Sequence, residues 1–445
     1  MEITKFQLDN FTQFTHLTVE LPSNIAVFIG NNGAGKTSLL RALSILLSWL
    51  IARIGREKGN GNPILDSEIE NDAKYSKITL EVCDLSNSQE SGFQWTLVKQ
   101  RKGFKSEQNS ELKNVTRLAD RYRNRLSQDD NSNLPLIAYY PVERAVLDIP
   151  LQIKKRHRFA QLDGYANALL PRVDFHRFFE WFREYEDVEN ERNINEDTMQ
   201  QILELIQDDP KKYEQLRGKL SQFQTSVREL VAVRSAISAF MSGFSKLRVQ
   251  RQPQLRMTVE KHGKILDVAQ LSQGEKSLMA LVGDIARRLA MMNPGLENPL
   301  YGEGIILIDE IDLHLHPQWQ RGIIRRLRDT FPNCQFLLTT HSPLVISDAK
   351  EVPCYILDGG ELEPVKDLYG LDANQVLVEV MDTEIRNEEV QAKITVLLNL
   401  IQEGNLCEAK VALSQLEKEL SAHHLELIKA RLLIKRLEVR RAKDS

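Results

Sequence analysis

Three short stretches of this chain carry phosphate-binding and proton-handling groups at spacings that suit nucleotide chemistry. The first is Gly30-Asn31-Asn32-Gly33-Ala34-Gly35-Lys36-Thr37, a glycine, four residues, then Gly-Lys-Thr. Glycines let successive backbone N–H groups turn inward around phosphate oxygens. Lys36 has the reach for the β- and γ-phosphates, and the Thr37 hydroxyl can ligate Mg²⁺. Ser38 opens the helix that follows, and a helix N-terminus adds positive potential. The candidate nucleotide contacts here are Asn31, Asn32, Gly33, Ala34, Gly35, Lys36, Thr37 and Ser38.

The second stretch, Gly304-Ile305-Ile306-Leu307-Ile308-Asp309-Glu310, is an apolar run ending in two carboxylates. Downstream of a phosphate loop, the first suits Mg²⁺ and the second suits a general base that polarises the attacking water. Asp309 and Thr37 are thus the metal candidates, and Glu310 is the catalytic candidate. The third stretch is Leu271-Ser272-Gln273-Gly274-Glu275-Lys276-Ser277. Ser and Gly at a helix start expose N–H groups to an anion. Ser272 and Glu275 also spell a capping box, which is compatible with that role. Ser272, Gln273, Gly274 and Glu275 join the candidate contacts. His341 follows an apolar run, Phe336 to Thr340, and can donate a hydrogen bond to a γ-phosphate. A strand-end histidine standing alone is more often structural; the company of the other motifs favours the functional reading here. His314 and His316 are two residues apart and raise a metal reading, but no third ligand stands near them in sequence.

Elements of matching character must position these groups. Ile25 to Ile29 reads as a buried strand before the glycine loop, and Ser38 to Leu50 as the helix after it. Glu2 to Leu8 and Leu17 to Leu21 alternate as half-buried strands, with the turn at Asn10-Phe11. Gly55 to Ser76 reads as an insertion or mobile loop, and Lys77 to Asp84 with Gly92 to Lys99 as a hairpin pair. Leu134 to Tyr140 reads as a strand ending at Pro141. Residues 159–209 and 211–244 read as helical. The aromatic run Phe175, Phe178, Phe179, Trp181, Phe182 and Tyr185 fits a core-facing helix better than a base-stacking surface. Lys246 to Val259 and Lys264 to Val268 return to strand character, Gly274 to Met292 and Pro317 to Phe331 to helix, and Gln335 to Thr340 to strand. The alternation of buried strands and helices predicts an α/β fold. Val390 to Ala442 predicts two or three packed helices with a break at Glu403-Gly404-Asn405.

Composition sets the bounds. The 445 residues are 42% hydrophobic and 27% charged, which suits a globular chain of two or three domains. A net charge of −4 gives no overall attraction to nucleic acid and leaves only local basic patches for it. Two are visible, Lys154-Lys155-Arg156-His157-Arg158 and the run from Arg321 to Arg328, so DNA contact is a candidate property. Four cysteines at unrelated spacings supply neither a zinc site nor a disulfide framework. Ser38 to Ile54 is the nearest approach to a membrane span, and Arg41 interrupts it. With no basic-then-apolar start at the N-terminus, the expectation is a reducing, cytoplasmic setting.

The motifs taken in order resemble the ABC-type ATPases of the group that includes the Rad50, SMC, RecF and OLD proteins. Those motifs are the phosphate loop, Leu271 to Glu275, Ile306 to Glu310, Ile311 to Pro317, and Thr339 to Pro343. The resemblance spans Met1 to about Asp358 and implies an ATPase head, to which the residues themselves add a helical insertion and a C-terminal helical tail. It also implies a head-to-head dimer with ATP between one copy's Lys36 loop and the other's Ser272-Gln273-Gly274. In that arrangement ATP and Mg²⁺ are the ligands, and His341 meets the γ-phosphate. The chain departs from the group at the glutamine loop, where Tyr139-Tyr140-Pro141-Val142-Glu143-Arg144 stands instead.

A narrower likeness is to the PtuA-type ATPases of Septu and retron anti-phage systems. It rests on Ala138 to Pro150, on Asp174-Phe175 with Phe178 to Phe182, on Glu189-Asn190-Glu191, and on Leu368 to Leu377. It implies an HNH nuclease partner of the PtuB type, supplied in trans, and in a retron a reverse transcriptase with its RNA–DNA hybrid. The organisation expected is a head over residues 1–150 and 246–367, an insertion over 151–245, and a tail over 368–445 for partner docking or oligomerisation. Competing readings are a DNA-repair or chromosome-maintenance ATPase of RecF or SMC type, and the ATPase of a PARIS-type system. A transporter subunit fits poorly, because the stretch between Thr37 and Leu271 is too long. No metal-dependent nuclease pattern follows His341.

Overall fold

The computed structural model describes residues 1–84, 92–104, 108–129, 131–144, 160–170, 176–192, 227–383, 387–421 and 424–444. Two compact units result, Met1–Leu371 and Asp372–Ser445. The basic run at Lys154 to Arg158, the residues 145–150, Asp174-Phe175 and the helical reading of 193–226 lie outside the described residues.

The first unit is built on a sheet of six strands. Its middle consists of β3 (Ile25–Ile29), β6 (Leu136–Tyr140), β10 (Gly304–Ile308) and β11 (Cys334–Thr340), and every residue of these four strands is buried. Continuous apolar runs of this kind belong to parallel strands covered on both faces. They lie side by side in the order β3-β11-β10-β6, all parallel. Their C-terminal ends therefore share one edge, where open α/β sheets bind ligands. β12 (Cys354–Asp358) runs parallel beside β3, and β13 (Glu361–Val365) closes that side antiparallel. A second, antiparallel sheet has the order β2-β1-β4-β5, from β1 (Glu2–Phe11), β2 (Phe14–Glu20), β4 (Tyr75–Cys83) and β5 (Gly92–Gln100). β1 continues through Phe11, so the hairpin turns at Thr12-Gln13 and not at Asn10-Phe11.

Helix α1 (Lys36–Gly55) has the length and apolar character of a membrane span, with a mean hydropathy of 1.5, but 61% of its apolar window is buried inside the head. Gly55 to Ser76 is pinned to it and is no free loop. Asn62 N–H donates to Ser48 Oγ at 2.7 Å, and Arg41 Nε meets Glu68 Oε1 at 3.0 Å. Residues 160–170 form a short 3-10 helix, Gln161–Tyr165, and a turn, where longer helix was expected. The aromatic helix α3 (His176–Arg192) buries Phe178, Phe179, Trp181 and Phe182. A Cβ on Gly283 would lie 2.6 Å from the Phe178 ring, so that glycine lets the helix carrying it close onto α3. The Lys246-to-Val259 stretch divides into β7 (Phe244–Gln250) and β8 (Arg256–Lys261), which form a third sheet with β9 (Lys264–Asp267). Pro317 to Phe331 also divides. Its short first helix, Pro317–Gln320, stops before Gly322, whose φ of 71° is left-handed, and a second helix follows at Ile323–Thr330.

The helix Gln273–Met292 crosses this unit with a buried ion cluster at its middle. Asp284 accepts from Arg287 at 2.7 Å, from Arg288 Nε at 2.7 Å and from the Tyr140 hydroxyl at 2.9 Å. Burial opposes ionisation of Asp284, but the Arg288 and Arg287 charges outweigh it and hold the carboxyl at about 2. The second unit packs Glu388–Gln402, Leu406–Glu419 and Leu425–Asp444 around Ile394, Leu397, Ile401, Leu413, Leu416 and Leu427. Gly404, with φ 76°, makes the break between the first two.

The Asp284 cluster yields a stability prediction. Asp284→Ala leaves two buried guanidinium groups without their anion, a loss on the order of 3–5 kcal/mol. All four tryptophans, Trp49, Trp95, Trp181 and Trp319, lie in the first unit, so their fluorescence in a urea titration reports that unit alone. The contribution is expected in full above the ordinary carboxylate pKa and is lost as pH falls toward about 2. A change below about 1 kcal/mol, the range of exposed ion pairs, would contradict the buried-cluster account.

Candidate nucleotide site

Each of the four central strands delivers one part of the site at its C-terminal end. β3 runs into the glycine loop, β10 into Asp309 and Glu310, β11 into His341, and β6 into Pro141 to Arg144. Asn31, Asn32 and Gly33 are exposed at the loop tip, Ala34, Gly35 and Ser38 are half-buried, and Thr37 is exposed. Gly35 caps α1 at φ 101°, a left-handed conformation that a Cβ would strain. That Cβ would also lie 2.3 Å from Gln13 Nε2. Gln13, at the tip of the β1–β2 turn, donates to the Gly33 carbonyl at 2.9 Å.

Lys36 is only 6% exposed. Its Nζ donates to the carbonyls of Gly30 at 2.8 Å and Asn31 at 3.0 Å, which folds the side chain over the loop. Burial lowers its pKa, and the charges of Asp309, Glu310 and Asp312 oppose that shift. The Thr37 hydroxyl donates to Asp309 Oδ2 at 2.7 Å. The other Asp309 oxygen accepts from Thr339 Oγ1 at 2.5 Å, and Thr339 Oγ1 in turn accepts the Glu310 N–H at 2.7 Å. One hydroxyl on β11 thus fixes both carboxylate residues that follow β10. A carboxylate and a hydroxyl placed together in this way are hard oxygen donors, and they fit the ligand chemistry of Mg²⁺.

Glu310 is half-buried and sits at φ 47°, a left-handed conformation uncommon outside glycine. Arg144 braces that turn. Its guanidinium donates to the carbonyls of Asp309, Glu310 and Pro141. Burial lowers the Arg144 pKa to about 10, so it stays cationic at neutral pH. This residue stands where a glutamine loop was expected. His341 is half-buried, and its pKa is lowered first by burial and then by the Lys36 charge. The shift favours the neutral imidazole, which carries one N–H donor.

The structure brings Lys36, Thr37, Asp309, Glu310 and His341 into one electrostatic cluster. Ser272, Gln273, Gly274 and Glu275 start a helix at a different place on the unit. Ser272 Oγ accepts the Glu275 N–H at 3.3 Å, and Glu275 Oε2 accepts the Ser272 N–H at 3.1 Å. Lys261 Nζ holds Glu275 Oε1 at 2.6 Å. Gly274 lies against the His314 backbone, where a Cβ would come 2.2 Å from the carbonyl oxygen. A cleft of about 860 Å³ opens there, lined by Lys261, Ser272, Gly274, Glu275, His314 and Trp319. His316 Nδ1 accepts the Gln318 N–H at 3.2 Å and so caps the helix at Pro317.

Sequence reasoning did not assign roles to Gln13, Arg144 or Thr339. Thr339 left a signal, because a hydroxyl at the end of a buried apolar strand needs a partner. Gln13 left none; its contact with the loop is non-local and comes from an ordinary turn.

A parallel sheet with this loop, the paired carboxylates at the next-but-one strand, and a capped Leu271-to-Glu275 helix defines an ABC-type P-loop ATPase head, related to the PtuA and retron ATPases. The family described as "AAA domain, putative AbiEii toxin, Type IV TA system" matches residues 25–347, and the chain belongs to it. The chain is 33% identical over 434 residues to the retron Vc95 probable ATPase of Vibrio cholerae serotype O1 biovar El Tor, covering 91% of this chain and 84% of that one. It is 31% identical over 425 residues to the retron Ec83 probable ATPase of Escherichia coli, covering 87% and 78%. A shorter match, 47% identical over 74 residues, is to the Septu protein PtuA of Bacillus mycoides (strain KBAB4) and covers 17% of this chain and 10% of that one.

Proposed function

We propose that this chain binds and hydrolyses ATP as the ATPase subunit of a cytoplasmic anti-phage defence complex, with a nuclease supplied in trans. The observation that carries the chemistry is the joining of Thr37 at the start of α1 to Asp309 just past β10, with Glu310 and His341 beside them. The near full-length similarity to two retron ATPases supports the setting. Lys36 exchanges its loop carbonyls for the β- and γ-phosphate oxygens. Thr37 and Asp309 would hold Mg²⁺, which would neutralise charge on the phosphates. Glu310 accepts a proton from the attacking water, and the neutral His341 donates its N–H to the γ-phosphate. Ser272, Gln273 and Gly274 close the site from a second copy, since the start of the helix they open carries a partial positive charge that suits an anion. The partner nuclease is of the HNH, PtuB-like type, joined in a retron by a reverse transcriptase and its RNA–DNA hybrid. A RecF-type repair role has less support, because the long matches run to retron ATPases.

Two variants test the chemistry together. Lys36→Ala is expected to lose ATP binding, because the loop loses its side-chain cation. Glu310→Gln is expected to bind ATP and Mg²⁺ and to hydrolyse it about 10²–10⁴-fold more slowly, the typical contribution of a general base. It should accumulate as an ATP-bound dimer in analytical ultracentrifugation. Unchanged turnover in Glu310→Gln, or a monomer at saturating ATP, would overturn the corresponding part.

The second unit, in this proposal, docks the nuclease. It exposes Val396, Val411, Leu432 and Val439 outside its own packed core. Val411→Asp with Leu432→Asp should remove the co-expressed nuclease from pull-downs while ATP turnover persists. Nuclease retained at full stoichiometry would show that the docking surface lies elsewhere.

A further inference from the structure

A groove of about 460 Å³ opens on the first unit along the helix Ile323–Thr330. Arg321, Arg325, Arg326, Arg328, Lys350 and Tyr369 line it. Asp348 is the one acidic side chain in that lining, and its Oδ2 already accepts the Gly322 N–H at 2.5 Å. Five cations therefore face one engaged carboxylate, in a chain whose net charge is −4. The concentration is local and does not follow from composition.

The cations divide by environment. Arg326 is half-buried and donates to the carbonyls of Phe240 at 3.4 Å and Arg321 at 3.3 Å, so it belongs to the wall. Arg321, Arg325, Arg328 and Lys350 are exposed. Arg325 and Arg328 are three residues apart on one helix, where like charges repel by a few tenths of a kcal/mol. A polyanion relieves that repulsion. Tyr369 is 58% exposed, and Lys350 Nζ lies 5.9 Å from its ring centre.

We propose that this groove binds the phosphodiester backbone of nucleic acid, with the Tyr369 ring stacking on a base where the strand is single. Guanidinium forks pair with phosphate through two parallel hydrogen bonds, which suits a groove rich in arginine. An acidic protein segment would use the charges but not the exposed aromatic face, whereas bases stack on such a face regardless of sequence. None of these side chains takes part in the nucleotide cluster, so the groove goes beyond the ATPase reading and stands independently of the nuclease partner.

The test uses the full-length protein and a fluorescein-labelled single-stranded DNA oligonucleotide, with fluorescence anisotropy across a salt series. The triple variant Arg321→Glu/Arg325→Glu/Arg328→Glu is expected to raise Kd at least about tenfold. It should also flatten the slope of log Kd against log salt by about 2, since each phosphate neutralised on a single strand adds roughly 0.7 to that slope. ATP turnover without DNA should be unchanged, which also shows that the variant is folded. If the reversal fails to fold, the triple Arg→Gln variant should shift Kd in the same direction. Tyr369→Ala should weaken the single strand more than the duplex of the same sequence. Arg56→Glu/Lys58→Glu, after the end of α1, controls for the net-charge change of the double variant Arg325→Glu/Arg328→Glu and, unlike it, should leave Kd nearly unaltered. Unchanged affinity in the triple variant, an equal loss in the control, or displacement of the DNA by poly-glutamate at matched charge would overturn the proposal. Absent ATP turnover in the unaltered protein would count against the proposed function alone.

Discussion

The hydrogen bond from Thr37 to Asp309 is the contact on which the rest of the site depends. It links residues 272 positions apart, one at the start of α1 and the other at the end of β10. It can form only if β3 and β10 point the same way and end level, with β11 between them. The parallel register supplies that arrangement. Hydroxyl and carboxylate then meet at the sheet edge, with Lys36 folded over the adjoining loop. The energy that holds this geometry comes mainly from elsewhere, from four strands and a helix buried so fully that the chain has little alternative to this edge.

Around that contact lies a layer of groups that fix its carboxylate and the backbone beside it. Thr339 orients Asp309 and the Glu310 backbone, and Arg144 binds the carbonyls of the same two residues. Second-layer hydrogen bonds of this kind matter because a carboxylate that swings by an ångström loses its metal or its water. A further tie leads away from the site. The Tyr140 carbonyl accepts the Asp309 N–H at 2.8 Å, while the Tyr140 hydroxyl reaches Asp284 on the Gln273–Met292 helix. The helix that presents Ser272 and Gly274 is thus bound, through one tyrosine, to the strand end that carries the carboxylates.

Much of this was legible in the sequence, and the reason is physical. The phosphate loop, the Asp309-Glu310 pair and the Ser272 cap are local, because each needs only consecutive residues and one element to present it. The buried strands were equally plain, since a parallel strand covered on both faces must be apolar throughout. Boundaries set by a single backbone conformation were less visible. Gly322 divides what periodicity reads as one helix, and the hairpin turns two residues later than its alternation suggests. Contacts between distant segments were not visible at all. Gln13 on the glycine loop, Arg144 behind Glu310 and the arginines around Lys350 become neighbours only through the fold.

The central claim is that Thr37 and Asp309 act on one Mg²⁺ as a unit. A double-mutant cycle on Mg²⁺-dependent ATP binding tests this most directly, with Thr37→Val, Asp309→Asn and the two combined. If both side chains serve the same ion, each single variant weakens Mg²⁺-dependent binding, and the double variant is little worse than the more damaging single one. The coupling energy is then on the order of 0.5–3 kcal/mol, as for residues in contact. Additive losses, or ATP binding that ignores Mg²⁺ in the unaltered protein, would contradict the account.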